Sequence, residues 1–543
     1  MVQAFLSLLL MSVAYPGFAA SDSAGKPVPL WGCWEQSFLA ASRPSAEVAL
    51  QVELVSPAGR QHRIDGFWDG ELLWKVRFMP DETGEWSFRT RSEPPVSGIH
   101  QQAGRFVCRR QSSNNRFLRH GPLSVSADRR RLEHRDGTPF FWLGDTAWNG
   151  ALLSEPKDWR TYLRDRATKH FSAIQFVATA PWRTAPTDAE GQKAFTGVDP
   201  IVIQPRFFQR LDRQFTAILD QGLLPVPVLL WAIRGEENPG YFLPEEQAIR
   251  LVKYMVARYG AYPVVWIPAG DAGYSGPIAE RWQRIGRTVF GSRPHAPVIM
   301  HPGGMQWPWE AFQNESWIDL FGYQSGHGDD LKTLGWIHSG PAAKYWLKDP
   351  IRPLLNLEPP YEGHLAYQSK KPHRAYNVRR AAYWSLLAAP IAGLTYGAHG
   401  IWSWQTIPGI PLNHQGTGEA RPWHEAMRFP GSMNMRHLAD FFQSIAWWRL
   451  GPAPGLLVEQ PGDKDPAAFI SAAQSDTGDI RVLYLPLGGE IKLRHDLPLK
   501  PIQSFWVDPR TGKRKSADAA SAHSYRAPDQ QDWLLLLLHP SGR

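Results

Sequence analysis

The 543-residue chain has two cysteines, Cys33 and Cys108, so it can form one internal disulfide at most. It also lacks any tract of Lys and Arg or nucleic-acid motif beside its formal charge of +8, so nucleic acid is not an expected partner. That charge does suit an acidic polymer. Beyond the first twenty residues there is no long apolar run, and no membrane-spanning segment is expected. No glycine-rich phosphate turn, Gly-x-Ser-x-Gly elbow, His-x-His or His-x-x-x-His spacing occurs. These absences argue against a dinucleotide sheet, a serine hydrolase and a preformed metal site, and no cofactor is expected.

What is abundant is tryptophan, at 25 residues. Most belong in cores, but an indole also stacks on the apolar face of a sugar ring. The start, MVQAFLSLLLMSVAYPGFAA, carries an apolar stretch from Ala4 to Tyr15 and then Gly17-Phe18-Ala19, a small-x-small cleavage pattern. Residues 1–20 therefore read as a secretory signal peptide, which predicts a periplasmic or extracellular protein. A membrane anchor is the competing reading, although the stretch is short for a spanning helix.

At this length two or three domains are expected. Residues 28–112 show short alternating strands, as in Trp74-Lys75-Val76-Arg77-Phe78, which predicts an immunoglobulin-like β-sandwich. Cys33 and Cys108 lie near its two ends, where a disulfide would tie first strand to last; two buried thiols are the alternative. Residues 121–447 alternate strands and helices. Eight candidate strands, at 140–144, 173–178, 224–231, 264–268, 297–301, 318–323, 353–358 and 393–396, predict a (β/α)8 TIM barrel. Between them, Phe207, Leu211, Phe215 and Leu219 form one helical stripe, and the Pro244–Tyr259 stretch forms another before Gly260. From 451 to 543 the pattern returns to strands, ending on the apolar run Trp533–Leu538, and predicts a second, smaller β-sandwich.

In a parallel barrel the ligand site lies at the carboxyl ends of the strands. Strand one there offers Asp145 and Trp148, and strand two leads to Trp182. Strand four closes on Asp271, strand five on His301, and strand six on Gln324 and His327. Strand seven closes on Glu358 with Tyr361 and Glu362 behind it, and strand eight runs to Trp402. Acids, imidazoles, amides and indoles gathered on one rim suit a carbohydrate. Glycosidic cleavage needs one carboxyl to protonate the leaving oxygen and another to attack carbon or activate water. Asp271 and Glu358 are the candidates, as acid/base and nucleophile; the remaining rim residues are candidate substrate contacts. Alternation is expected to put Leu355 and Leu357 on the helix side and Asn356 and Glu358 toward the mouth. Two alternatives stay open: Asp271 as the N-cap of the following helix, and Glu362 as the nucleophile.

In order along the chain, FWLGDTAW, RYGAYPVVWIPAGD, HPGG, YQSGHG, LNLEPPYEG and GLTYGAHGIW resemble the apiosidase-like glycoside hydrolase family. The segment around Trp74–Trp86 resembles a β-sandwich domain that precedes such barrels, and the end of the chain resembles the domain provisionally labelled collagen-binding that follows them. The resemblance implies a (β/α)8 barrel that removes apiose from galacturonate in pectic rhamnogalacturonan II. It places the family's acid/base on Asp271 and its nucleophile on Glu358. One departure is Pro268-Ala269-Gly270 before Asp271, where relatives show Gly-Gly-Asp. The expected partner is a poly- or oligosaccharide, with an acidic one favoured by the charge. A non-catalytic polysaccharide-binding protein and a metal-dependent hydrolase are the alternatives.

Overall fold

The computed structural model describes residues 21–22, 26–42, 48–291, 294–495, 503–521 and 523–539. The expected signal peptide lies outside them. Seven parallel strands form one curled sheet, in spatial order Ile267–Gly270, Leu224–Trp231, Ala173–Val177, Trp142–Thr146, Gly393–Gly397, Leu354–Asn356 and Phe321–Tyr323. Its two edges are linked by single parallel bridges through the segment expected as strand five, Trp266 to Val298 and Ile299 to Leu320. The result is a TIM-like barrel. Segment 297–301 makes only these isolated bridges and does not form an extended strand.

Helices return the chain between strands. Pro205–Asp220 starts on a proline at its first turn and buries Phe207, Leu211, Phe215 and Leu219. Each such side chain contributes roughly 1.5–3 kcal/mol of burial, so the stripe fixes which helical face meets the sheet. Glu245–Tyr259 behaves alike and ends at Gly260.

The first β region is a sandwich of a five-stranded and a four-stranded sheet over Trp34, Trp86 and Phe106. A buried ionic lattice docks it on the barrel. Arg77 reaches Glu35 and Asp212, each at 2.7 Å, and Arg258 reaches Asp69 and Asp212, also at 2.7 Å. Burial alone would raise the Asp212 pKa, but the two guanidiniums outweigh it and hold the carboxyl well below its usual range. Cys33 and Cys108 are buried free thiols, so no disulfide joins first strand to last. Cys33 packs into the barrel-side core and Cys108 into the sandwich core. Burial pushes both thiols up to about 12.

After the barrel come a six-stranded and a three-stranded sheet. Trp533–Leu538 is central in the larger one, between Ile480–Leu485 and Gln503–Val507. The barrel helix Ala375–Leu387 sends Arg379 into this region, where two 2.6 Å hydrogen bonds reach the buried Asp532. Tyr484 also donates to Asp532, at 3.0 Å, and its ring stacks on Tyr383 at 4.7 Å. Among the described residues no helix is long and apolar enough to cross a membrane.

Candidate functional site

Side-chain phase on the strands decides what reaches the barrel mouth. On Trp142–Thr146, Thr146 points inward and accepts a 2.8 Å hydrogen bond from Gln175, whose amide also donates to the Leu357 carbonyl at 2.8 Å. Asp145 therefore points outward. There it is fully buried, accepting from Tyr162 at 2.6 Å and from Arg166. The expected substrate contact at Asp145 is corrected: its carboxylate is committed to a helix behind the sheet. Glu362 is likewise turned away, accepting from the Tyr396 hydroxyl at 2.6 Å and the Gly431 N–H at 3.0 Å. It holds the loop after Glu358 instead of facing the cleft, and it is not placed as a nucleophile.

The expected phase of strand seven is also reversed. Asn356 faces outward, donating to Ser385 on the helix Ala375–Leu387 at 3.0 Å. Leu357 goes inside, into room left by Gly322, where a Cβ would lie 2.5 Å from the leucine methyl. Glu358 still reaches the mouth, because the strand ends at Asn356 and strict alternation no longer applies.

Glu358 lies between two imidazoles. His327 accepts the Tyr361 backbone N–H on Nδ1 at 3.3 Å, so its Nε2 carries the proton donated to Glu358 at 3.2 Å. On the other side His301 Nε2 stands 3.3 Å from the second carboxylate oxygen. Burial would raise the Glu358 pKa, but the two histidines outweigh it and hold the carboxyl down near 2. Asp271 follows the strand Ile267–Gly270 in a left-handed conformation, φ 51°. A non-glycine residue held there stores strain, a pattern that clusters at functional sites. Asp271 does not cap the next helix, which begins at Gly276 with Ser275 before it. Gln324, anchored by its 2.9 Å hydrogen bond to the Pro302 carbonyl, donates to the Asp271 carboxylate. Burial first, and then the charge of Glu358, push the Asp271 pKa up to about 7.

One atom each from Asp271, His301 and Glu358 lies within 4.8 Å of the others. These three could converge on a cation. Against that, His301 Nδ1 accepts the Asp271 backbone N–H at 3.3 Å, which leaves the proton on the nitrogen facing Glu358. A ligating imidazole needs that nitrogen bare.

Indoles wall the rest of the mouth. Trp182 lies 4.8 Å from Trp231 and 5.2 Å from Trp402, while Trp148 is wholly buried and meets His301 edge-on at 5.4 Å. Among the described residues no hydrogen-bond partner meets the buried indole N–H groups of Trp148, Trp182 and Trp231. Trp402 donates to His399 at 3.0 Å, and His364 stacks on His327 at 4.2 Å. Tyr361 packs directly over Gly397, where any Cβ would overlap its ring. Sequence reasoning missed Trp231, although it ends the strand Leu224–Trp231 and the strand-end rule points to it. It assigns no role to Asn149, or to Arg183 beside Trp182 at the end of strand two, since neither carries a motif.

A TIM-like barrel with two unlike carboxyls in an indole-lined mouth defines a glycoside hydrolase. The comparisons agree. A glycoside hydrolase family 5 protein from Bacteroides vulgatus is 20% identical at a TM-score of 0.68, over 78% of this chain and 94% of that one. Another glycoside hydrolase is 20% identical at 0.69, over 80% of this chain and 100% of its own. A third structure, from Bacteroides vulgatus and provisionally described as a glycoside hydrolase, is 16% identical at 0.69 over 94% and 99%. These likenesses establish the fold. The model of the apiosidase-like catalytic domain matches residues 126–449, more than half of the chain, and the chain belongs to that family. A domain of unknown function, DUF5060, matches residues 27–93. A comparison with curated proteins gives no match.

Proposed function

We propose that the protein is an exported, exo-acting glycosidase that removes a terminal sugar from pectic side chains, with apiose on rhamnogalacturonan II as the first substrate to test. The reading includes an export signal at 1–20, a full (β/α)8 catalytic domain at 121–447 and flanking sandwiches at 28–112 and 451–543. Asp271 is the acid/base and Glu358 the nucleophile. The observation that carries this is the split in their proton affinities, one carboxyl raised toward neutrality and the other held ionised by two imidazoles. At neutral pH Asp271 keeps a proton for the leaving oxygen, while Glu358 attacks the anomeric carbon. Their closest oxygens lie within 4.8 Å, below the roughly 6.5–9.5 Å that an intervening water needs, which favours retention of configuration. His301, Gln324, His327, Tyr361, Trp182 and Trp402 position the sugar and the two acids.

The test is release of monosaccharides from rhamnogalacturonan II and other pectic side chains, followed by proton NMR of the new anomeric centre. Glu358→Ala is expected to abolish release while glycan binding persists; unchanged release would remove Glu358 from the mechanism. A second reading, metal-dependent hydrolysis, rests on the convergence of Asp271, His301 and Glu358. It requires that a chelator abolish activity, whereas the carboxylate pair predicts no loss.

A further inference from the structure

Arg183 has no carboxylate of its own. Elsewhere in this molecule Arg77, Arg166, Arg258 and Arg379 each hold at least one buried or half-buried acid. Among the described residues no ion pair is made by Arg183, whose guanidinium lies 5.3 Å over the Trp182 ring and whose Nε is buried without a hydrogen-bond partner. A guanidinium resting on an indole with no acid beside it is not held there by an internal ion pair.

The backbone is built to hold it there. Buried Asn149 clamps the preceding residue from both sides, accepting the Trp182 N–H at 2.7 Å and donating to the Trp182 carbonyl at 2.8 Å. Immediately after the clamp Arg183 turns left-handed, φ 56°. For a non-glycine residue that conformation is unfavourable and persists only where the surroundings impose it. Trp182 in turn belongs to the mouth, against Trp231, Trp402 and His414. The guanidinium is thus displayed beside the surface on which a sugar ring would stack.

We infer that Arg183 is the anion-recognising residue of this cleft, seating a carboxylate or sulfate group of the bound saccharide against Trp182. This rests on the glycosidase reading above and adds to it the residue that would hold an anionic group of the substrate. A guanidinium presents its N–H groups as a planar fork, which matches the paired oxygens of either anion. The charge of Arg183 also reaches Asp271 and lowers its proton affinity somewhat.

The test uses the full chain carrying Glu358→Gln, so that saccharides bind without turnover. Calorimetric titrations compare a uronic-acid oligosaccharide, the same oligosaccharide with its carboxyls reduced to alcohols, and a sulfated neutral oligosaccharide. The uronic acid is expected to bind about tenfold or more tighter than its reduced form, the range of one charge-assisted contact. Adding Arg183→Gln is expected to erase that preference with an unchanged melting temperature, and Arg183→Lys to retain part of it. An Arg183-dependent preference for the sulfated probe instead would assign the anion as a sulfate ester. Equal binding of all three probes, a preference that survives Arg183→Gln, or no binding of any probe would each overturn the inference. Failure of the glycosidase reading is seen separately, as sugar release that survives Glu358→Ala.

Discussion

Glu358 and His327 are bound through a hydrogen bond whose direction is set by a third residue. The Tyr361 N–H occupies His327 Nδ1, so the ring must present Nε2–H to the carboxylate at 3.2 Å. His327→Ala removes that donor, and the Glu358 pKa is expected to rise. The acid limb of kcat/KM would then move to higher pH, with a fall on that limb of about tenfold for each unit by which the pKa rises. An unmoved acid limb in the pH profile would assign it to another group.

Asp271 sets the opposite limb. Its proton is needed for the leaving group and is held up to about 7, so kcat/KM is expected to fall as pH rises through that value. Stability follows the same shift with a definite sign. Between the unfolded value near 3.8 and the folded value near 7, the unfolded chain releases this proton and the folded one keeps it, so this group's contribution declines as pH rises. Asp271→Asn is therefore expected to raise the apparent Tm at pH 8 and leave it little changed at pH 4, while abolishing turnover. A Tm gain that is equal at both pH values would contradict the assignment.

Asp145 and Glu362 are turned away from the cleft, and burial raises the proton affinity of each. Asp145→Asn and Glu362→Gln are expected to lower the melting temperature. Asp145→Asn should leave KM near the wild-type value, since that side chain is engaged by Tyr162 and Arg166 behind the sheet. Saccharide titrations of the two variants check this; a large KM change in Asp145→Asn would return that residue to the site.

Gly397 gives Tyr361 its seat. Gly397→Ala places a methyl in the tyrosine ring, with an overpacking cost of about 1–3 kcal/mol and displacement of the ring beside Glu358. Both activity and denaturation midpoint are expected to fall, whereas Gly416→Ala, at a site with open space, should change neither.

Much of this architecture is legible in the chain because periodicity is local. The stripe Phe207, Leu211, Phe215, Leu219 and the uniformly buried Leu224–Trp231 fold as their patterns require. Phase is harder to read, since alternation states that neighbours face opposite ways and not which way each one faces. Asn356 faces out because Gly322, on the adjacent strand, makes room for Leu357 inside. Asp145 faces out because Arg166, supplied by a later helix, receives it there. The approach of Asp271 to Glu358 could be proposed from strand ends, but the imidazoles that separate their proton affinities come from strands far apart in sequence. No role for Arg183 is legible in the sequence, since what distinguishes it is the absence of an ion pair among the described residues.

The Arg379–Asp532 pair joins a helix of the barrel to the last β region, with both side chains buried. Deleting that region would strand a guanidinium in the barrel wall, and breaking such a pair from one side costs about 3–5 kcal/mol. Asp532→Ala measures this directly, as an apparent Tm well below that of Tyr484→Phe, which keeps the charge pair. The C-terminal sheets are thus no detachable module: they supply the charge that completes the barrel wall, and a truncation before them cuts through the barrel's own packing.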